Sequence, residues 1–134
     1  MTTVTAAPTA LHPFSHTFRP TRTALAFALL GCAAALAHHH GITLWVLAVG
    51  VIGPDLSFLA AIGAPNPGNG TLPRRAVRPY NLVHHPAGPL LLTAVGLTLS
   101  APLATVIGLA WSSHQAWDRG LGYRLRNTDG TIRI

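Results

Sequence analysis

Four ionisable side chains lie within apolar stretches of this sequence and are the main candidates for chemistry: Asp55, His84, His114 and Asp118. A charged group at the centre of a membrane helix costs on the order of 2.5 to 3.5 kcal/mol, so such residues are usually kept for a function. Two carboxylates and two imidazoles form an oxygen and nitrogen ligand set that suits Zn, Mn or Fe. A divalent metal bound by them would lower the pKa of water to about 7 and supply a nucleophile.

The spacing of these residues favours direct pairing. His114 and Asp118 are four residues apart, so on a helix their side chains are neighbours on one face. His84 is followed by His85, which we predict to be the catalytic residue that transfers protons beside the metal. A second interpretation stays open, in which the same polar groups serve helix packing, proton relay or partner binding without catalysis.

Four apolar stretches each approach the roughly 20 residues that a membrane-crossing helix needs. They predict an all-α fold, an integral membrane bundle of four antiparallel transmembrane helices, because the connections between them are short. We expect a disordered N-terminal tail and a short C-terminal tail, and Pro54 should kink the second helix beside Asp55. The predicted ranges are 1–20 for the first tail, 21–126 for the domain, 23–37, 42–63, 80–100 and 102–123 for its helices, and 127–134 for the second tail.

The positive charges predict how such a bundle is oriented. Only 9% of the residues are charged, against about a quarter in soluble domains. Basic residues concentrate in cytoplasmic loops, and four crossings with both termini cytoplasmic place every arginine on that side. At a rise of about 1.5 Å per residue, the four candidates then lie in one layer, roughly 6 to 14 Å from the cytoplasmic boundary. The arginines are Arg19, Arg22, Arg74, Arg75, Arg78, Arg119, Arg124, Arg126 and Arg133.

The expected partners follow from the same charge distribution. Arginines at the ends of apolar segments meet anionic lipid headgroups, so we expect a multi-pass protein of the cell membrane. A nucleic-acid partner is not expected, because the sequence shows no groove-entering element and no set of stacking aromatic residues. A homo-oligomer or another membrane partner stays open.

The first apolar stretch has an alternative interpretation. Arg19 and Arg22 precede it, and it ends in Ala35-Leu36-Ala37, as a secretory signal with a small-residue cleavage site would. Its removal would leave three crossings and place some arginines on the wrong side of the membrane. The sequence alone leaves both interpretations open.

Three blocks of the sequence resemble a family of small bacterial multi-pass membrane proteins, the domain of unknown function 4260 (DUF4260). The blocks are Pro54-Asp55-Leu56-Ser57-Phe58-Leu59, Tyr80-Asn81-Leu82-Val83-His84, and His114-x-x-x-Asp118-Arg119-x-x-Gly122-Tyr123-x-Leu125. The resemblance covers about residues 22–126 and implies no particular activity. The tail lacks the Thr-His-Leu ending of the relatives, so any ligand that they carry there is missing.

A more distant likeness is to membrane-bound metal-dependent hydrolases. Their pattern is Pro-Asp-x-Asp, a helix that starts with histidines, and then Ser-His-x-x-x-Asp. Ser113, His114 and Asp118 fit the last element, whereas Ser57 stands where the first element has its second Asp. The likeness implies hydrolysis by analogy of the site.

Overall fold

The computed structural model describes residues 19–68 and 70–133, so nearly all of the predicted N-terminal tail lies outside the described residues. The described residues form five α-helices and one 3-10 helix, and they contain no strand beyond a single bridge between Arg126 and Ile132. The predicted all-α fold class is confirmed. In chain order the elements are α1 (Pro20–His39), α2 (Trp45–Ile52), the 3-10 helix (Gly53–Ala61), α3 (Arg74–His84), α4 (Ala87–Thr98) and α5 (Pro102–Gly120).

Helix α5 lies at the centre of the bundle and packs against α1, α2 and α4. Small residues let the backbones come close, as is common where helices associate in membranes. A Cβ atom added to Gly50 of α2 would lie 2.6 Å from the Ala110 side chain and 2.8 Å from the Ile107 carbonyl oxygen. Gly108 makes an equally close contact with Thr93 of α4.

The side chains are distributed with small residues inside and large apolar residues outside. Helix α1, for example, buries Ala26, Ala33 and Ala37 and exposes Phe27. Large apolar side chains are exposed on every helix of the described residues. Leu82 of α3, for example, is 76% exposed. Exposed apolar surface on this scale marks contact with a membrane or another protein.

Two of the helices that the sequence predicted to be continuous are divided. Pro54 has no backbone N–H to donate, and the helix predicted over 42–63 changes there from an α-helix to a 3-10 helix. His85 precedes Pro86 and adopts an extended conformation, with φ −75° and ψ 130°, because a proline disfavours helical geometry in the residue before it. The helix predicted over 80–100 is therefore two helices, α3 and α4.

Among the described residues, one helix by itself is long and apolar enough to cross a membrane. This is α1, which extends beyond the predicted 23–37 at both ends. Helix α1 meets this criterion by length and composition only. The core helix of a soluble protein or a signal sequence meets the same criterion. Residues Trp45–Ala61 form a shorter apolar helical segment.

The chain after α5 folds back onto α3 and onto the loop before it. The side-chain amide of Asn81 binds both backbone polar groups of Arg126. It donates to the Arg126 carbonyl at 2.8 Å and accepts from the Arg126 N–H at 2.7 Å. The Arg126 guanidinium donates to the Gly70 carbonyl at 2.6 Å, and the Leu72 N–H donates to the Gly130 carbonyl at 3.0 Å. These contacts fasten the chain after α5 across the loop that leads into α3.

Candidate metal centre

The structure brings together the four ionisable residues predicted from the sequence. Asp55 is in the first turn of the 3-10 helix, His84 is the last residue of α3, and His114 and Asp118 face the same direction on α5. The Nε2 atoms of the two histidines are 3.2 Å apart. The Asp55 carboxylate lies 3.9 Å from His84 and 3.7 Å from His114, and the Asp118 carboxylate lies 3.4 Å and 3.5 Å from them.

One side of this cluster is closed and the other is open. The side chains of His84 and His114 are only 5% and 7% exposed, and that of Asp118 is 19% exposed. The Asp55 side chain is 49% exposed. The cluster is therefore open on the side of Asp55, whereas the two imidazoles are shielded.

The orientation of His84 is fixed by its neighbour one helical turn earlier. Its Nδ1–H donates to the Tyr80 carbonyl oxygen at 2.9 Å, so its Nε2 atom carries a free lone pair that faces the cluster. The Tyr80 ring is stacked on the imidazole, with 4.0 Å between the ring centroids. Tyr80 thus selects both the tautomer and the direction of this candidate ligand.

The cluster contains more acceptors than its own protons can satisfy. With the lone pair of His84 facing inward, a proton on Nε2 of His114 would serve one acceptor and leave the others unpaired. A metal cation accepts lone pairs from all of them at once. The four groups therefore offer several electron pairs to one point, as the ligands of a metal ion do.

The distances fit a metal ion. Zn bonds to histidine nitrogen and carboxylate oxygen are about 2.0 to 2.2 Å long, so two ligand atoms at tetrahedral or right angles lie about 2.8 to 3.6 Å apart. The distances of 3.2 to 3.5 Å among the histidines and Asp118 lie in this range. Asp55 needs to approach by a few tenths of an ångström, which its exposed side chain allows. Asp55, His84 and His114 are close enough to hold a metal ion.

Helix α5 also supports the break that positions His84. A helix end leaves backbone carbonyls without partners, and Pro86 offers no N–H to the last turn. Three side chains of α5 donate to these carbonyls. Trp111 Nε1 donates to Val83 at 2.8 Å, Gln115 Nε2 donates to Val83 at 3.0 Å and to His85 at 3.1 Å, and Arg119 Nη2 donates to His84 at 3.3 Å.

His85, the predicted catalytic residue, is exposed at the break between α3 and α4. Its Nδ1 atom accepts a hydrogen bond from the Ala87 N–H at 3.2 Å, so the ring is held against the start of α4 and not within the cluster. Its role in proton transfer stays a prediction.

Sequence reasoning missed the supporting role of Tyr80, Gln115 and Arg119. Helical spacing offered a signal for two of them, because Tyr80 is four residues before His84 and Arg119 is four residues after Gln115. Helical spacing gave no signal for the contacts of Gln115 with the end of α3. The two acceptors of Gln115 are backbone carbonyls about 30 residues away in sequence, and only the packing of α5 against α3 reveals them.

Comparison with known proteins agrees with the resemblance seen in the sequence. A family model described as "Domain of unknown function (DUF4260)" matches residues 22–133. No curated protein and no solved structure matches the chain. The family match includes all four residues of the cluster and also the C-terminal segment that folds back onto α3. This chain belongs to the DUF4260 family.

Proposed function

We propose that this chain is a membrane-embedded, metal-dependent hydrolase whose metal is held by Asp55, His84, His114 and Asp118. The observation that carries the proposal is the convergence of two imidazole nitrogens and two carboxylates at 3.2 to 3.9 Å, from three separate elements of the chain. Residues this far apart in sequence are brought to one point only by the packing of the whole bundle.

The open side of the cluster favours catalysis over a purely structural metal. Structural zinc sites are closed by four protein ligands, whereas catalytic sites keep a position for water or substrate. Zn can expand to five ligands, and Mn and Fe accept six, so a position remains beside half-exposed Asp55. Zn, Mn and Fe are therefore the metals that we propose.

Each protein group has a defined task in this proposal. The bound metal supplies Lewis acidity and lowers the pKa of water to about 7. His84 and His114 hold it as neutral ligands, and Asp118 balances its charge from the buried side. Asp55 would complete the ligand set on the open side, and His85 remains our predicted residue for proton transfer.

The dimensions of the helices support four membrane crossings. The hydrocarbon core of a bilayer is about 30 Å thick. Helices α1 and α5, with 20 and 19 residues, measure about 30 and 28 Å at a rise of about 1.5 Å per residue. Helix α2 adds about 12 Å with 8 residues and the 3-10 helix about 18 Å with 9 residues, because the 3-10 rise is about 2.0 Å.

The third crossing differs from the others, because its helix α4 is shorter than the hydrocarbon core is thick. The break between α3 and α4 explains the difference. Helix α4 has 12 residues and measures only about 18 Å. It pairs with the outer part of α5, where Gly96 meets Thr105 and Gly88 meets Trp111. The end of α3 occupies the remaining depth beside the inner part of α5, which is where His84 meets His114.

The packing of α1 supports its retention as a helix of the mature protein. Ser113 of α5 donates a hydrogen bond to the Ala26 carbonyl at 2.9 Å, and Gly120 packs closely against Thr23. A cleaved signal sequence has no need of such fitted contacts with the last helix. With α1 retained, both termini are cytoplasmic and Arg74, Arg75 and Arg78 of α3 meet anionic lipid headgroups.

Hydrolysis of a simple ester by protein in lipid nanodiscs tests the enzymatic proposal. We expect slow, saturable hydrolysis of 4-nitrophenyl butyrate that is lost after treatment with a chelator and restored by Zn or Mn. His84→Gln, which keeps a polar side chain but replaces the imidazole nitrogen with a weakly binding amide, should abolish both the activity and its restoration. Metal binding without hydrolysis of esters, amides or phosphoesters would support the non-catalytic interpretation instead.

A further inference from the structure

A separate cavity of about 160 Å³ is lined by residues of α1, α2 and α5. Its walls are almost entirely apolar. The hydroxyl of Ser113, one of its few polar groups, already donates to the Ala26 carbonyl at 2.9 Å. The lining residues are Ala26, Phe27, Leu30, Val51, Ser113, His114 and Trp117.

His114 connects this cavity to the candidate metal centre. Its imidazole is part of the cavity wall, while its Nε2 atom lies 3.2 Å from His84 and 3.5 Å from Asp118. A molecule that fills the cavity therefore contacts His114, one of the four residues of the cluster. The other lining residues carry no charged group.

The size and opening of the cavity suit a hydrocarbon chain. A cavity of about 150 Å³ lined by apolar side chains stays dry and binds benzene, so this one holds about six carbon atoms. Phe27 and Trp117 line its exposed side and pack edge to face, with 5.3 Å between their ring centroids. Both side chains are more than a third exposed, so a longer chain can continue past them into the lipid.

We infer that this cavity binds the hydrocarbon chain of a single-chain amphiphile whose polar, hydrolysable head is placed at the cluster of Asp55, His84, His114 and Asp118. The inference rests on the proposed metal-dependent hydrolase and names its class of substrate. The apolar walls select the chain, and the ligand set beside His114 selects a head group with oxygen atoms that can bind a metal.

Two hydroxamic acids of different length test the two ideas separately. Both acetohydroxamic acid and octanohydroxamic acid bind metal ions through two oxygen atoms, but only the longer one has a chain that can fill the cavity. Their affinities would be measured with Zn-loaded protein in nanodiscs, for the wild type and for Leu30→Trp, which fills the cavity from α1. Measurement at one lipid concentration makes partition of the probe into the bilayer cancel between the two proteins.

We expect Leu30→Trp to weaken binding of octanohydroxamic acid about tenfold or more and to leave acetohydroxamic acid unchanged. Each methylene buried is worth about a fourfold change in affinity, so exclusion of two methylenes suffices for this effect. Val51→Phe fills the same cavity from α2 and should act in the same way. Leu97→Trp, on the exposed surface of α4, is the matched control and should change neither affinity.

The outcomes separate the inference from the proposed function. Equal binding of the long probe by the wild type and by both filled variants would overturn the inference and leave the metal site intact. Loss of both probes together in both variants would also overturn it, because chain and head would not bind independently. Failure of the wild type to bind either probe would overturn the proposed metal-dependent function itself.

Discussion

The side chain of Gln115 provides a direct test of how the bundle positions the candidate metal ligands. It is buried in α5 and donates to the carbonyls of Val83 and His85, the residues on either side of His84. Gln115→Met keeps the length of the side chain and removes both donors. Gln115 is hydrogen-bonded to no ligand atom of the cluster, so an effect on metal binding would act through the groups around His84 that it does contact. These are the two carbonyls and the Arg119 guanidinium, which itself donates to the His84 carbonyl.

The size of the effect follows from these contacts. Trp111 still donates to Val83, and the Gly88 N–H still donates to His85 at 3.3 Å, so neither carbonyl is left without a partner. The two bonds to these carbonyls are lost, and so is the bond that Arg119 Nη1 donates to the Gln115 side-chain oxygen at 3.1 Å. Three hydrogen bonds worth about 0.5 to 1.5 kcal/mol each predict a destabilisation of about 1.5 to 4.5 kcal/mol. Loss of groups that orient a metal ligand typically lowers metal affinity about 10- to 100-fold.

Competition between the protein and a chromophoric chelator for Zn would measure the affinity, and thermal unfolding in detergent would measure the stability. Thr98→Val is the control, because the Thr98 hydroxyl bonds only to carbonyls of its own helix, those of Ala94 and Val95. It should leave Zn affinity unchanged. If Gln115→Met lost stability but kept Zn affinity within about threefold of the wild type, the positioning role assigned to Gln115 would be refuted.

Three further predictions concern topology, coupling and packing. A reporter fused to the C-terminus should be cytoplasmic and a cysteine introduced at His39 should be labelled from outside; the reverse pattern contradicts four crossings. Asp55→Asn and His114→Gln should be non-additive in thermal unfolding by about 0.5 to 3 kcal/mol, whereas additive effects would mean that the two residues share no network. Gly50→Ala should destabilise by about 1 to 3 kcal/mol, because its Cβ would meet α5 backbone. Gly31→Ala, with open space around its Cβ, should be neutral or stabilising, and equal effects of the two would refute the close packing.

The sequence could predict that the four ionisable residues lie in one layer, because a layer depends only on the depth of each residue in the membrane. Counting residues from the predicted helix ends placed Asp55, His84, His114 and Asp118 in one layer, and an error of a few residues changes such a depth by only a few ångströms. The structure brings all four within 3.2 to 3.9 Å of a neighbour. Their roles as metal ligands stay predictions.

The divided helices could not be placed from hydropathy, because the apolar stretches continue through the breaks. Pro54 did predict a disturbance of the helix beside Asp55. It did not predict which kind, because a kink and a change to a 3-10 helix are both compatible with the same missing backbone hydrogen bond. At Pro86 the polar residues that precede it were assigned to the start of a long helix. They instead end an amphipathic helix that begins at Arg74.

Contacts between distant segments were also beyond the reach of the sequence. Asn81 binds the backbone of Arg126, 45 residues later, and no periodicity links the two positions. Residues 127–134 were predicted to be a short tail, and the domain was predicted to end at Arg126. The backbone after α5 is held through hydrogen bonds to α3 and to the loop before it, an arrangement that apolar patterning does not encode.

The metal content of the purified protein tests the central claim most directly. Protein extracted in detergent, washed free of loosely bound ions and measured by inductively coupled plasma mass spectrometry should carry about one equivalent of Zn, Mn or Fe, as expected of a single site of this ligand set. The double variant with His84→Gln and His114→Gln should carry almost none while keeping its helix content. Wild-type protein that stays metal-free after incubation with each of these metals, or a double variant that binds as much as the wild type, would contradict the account.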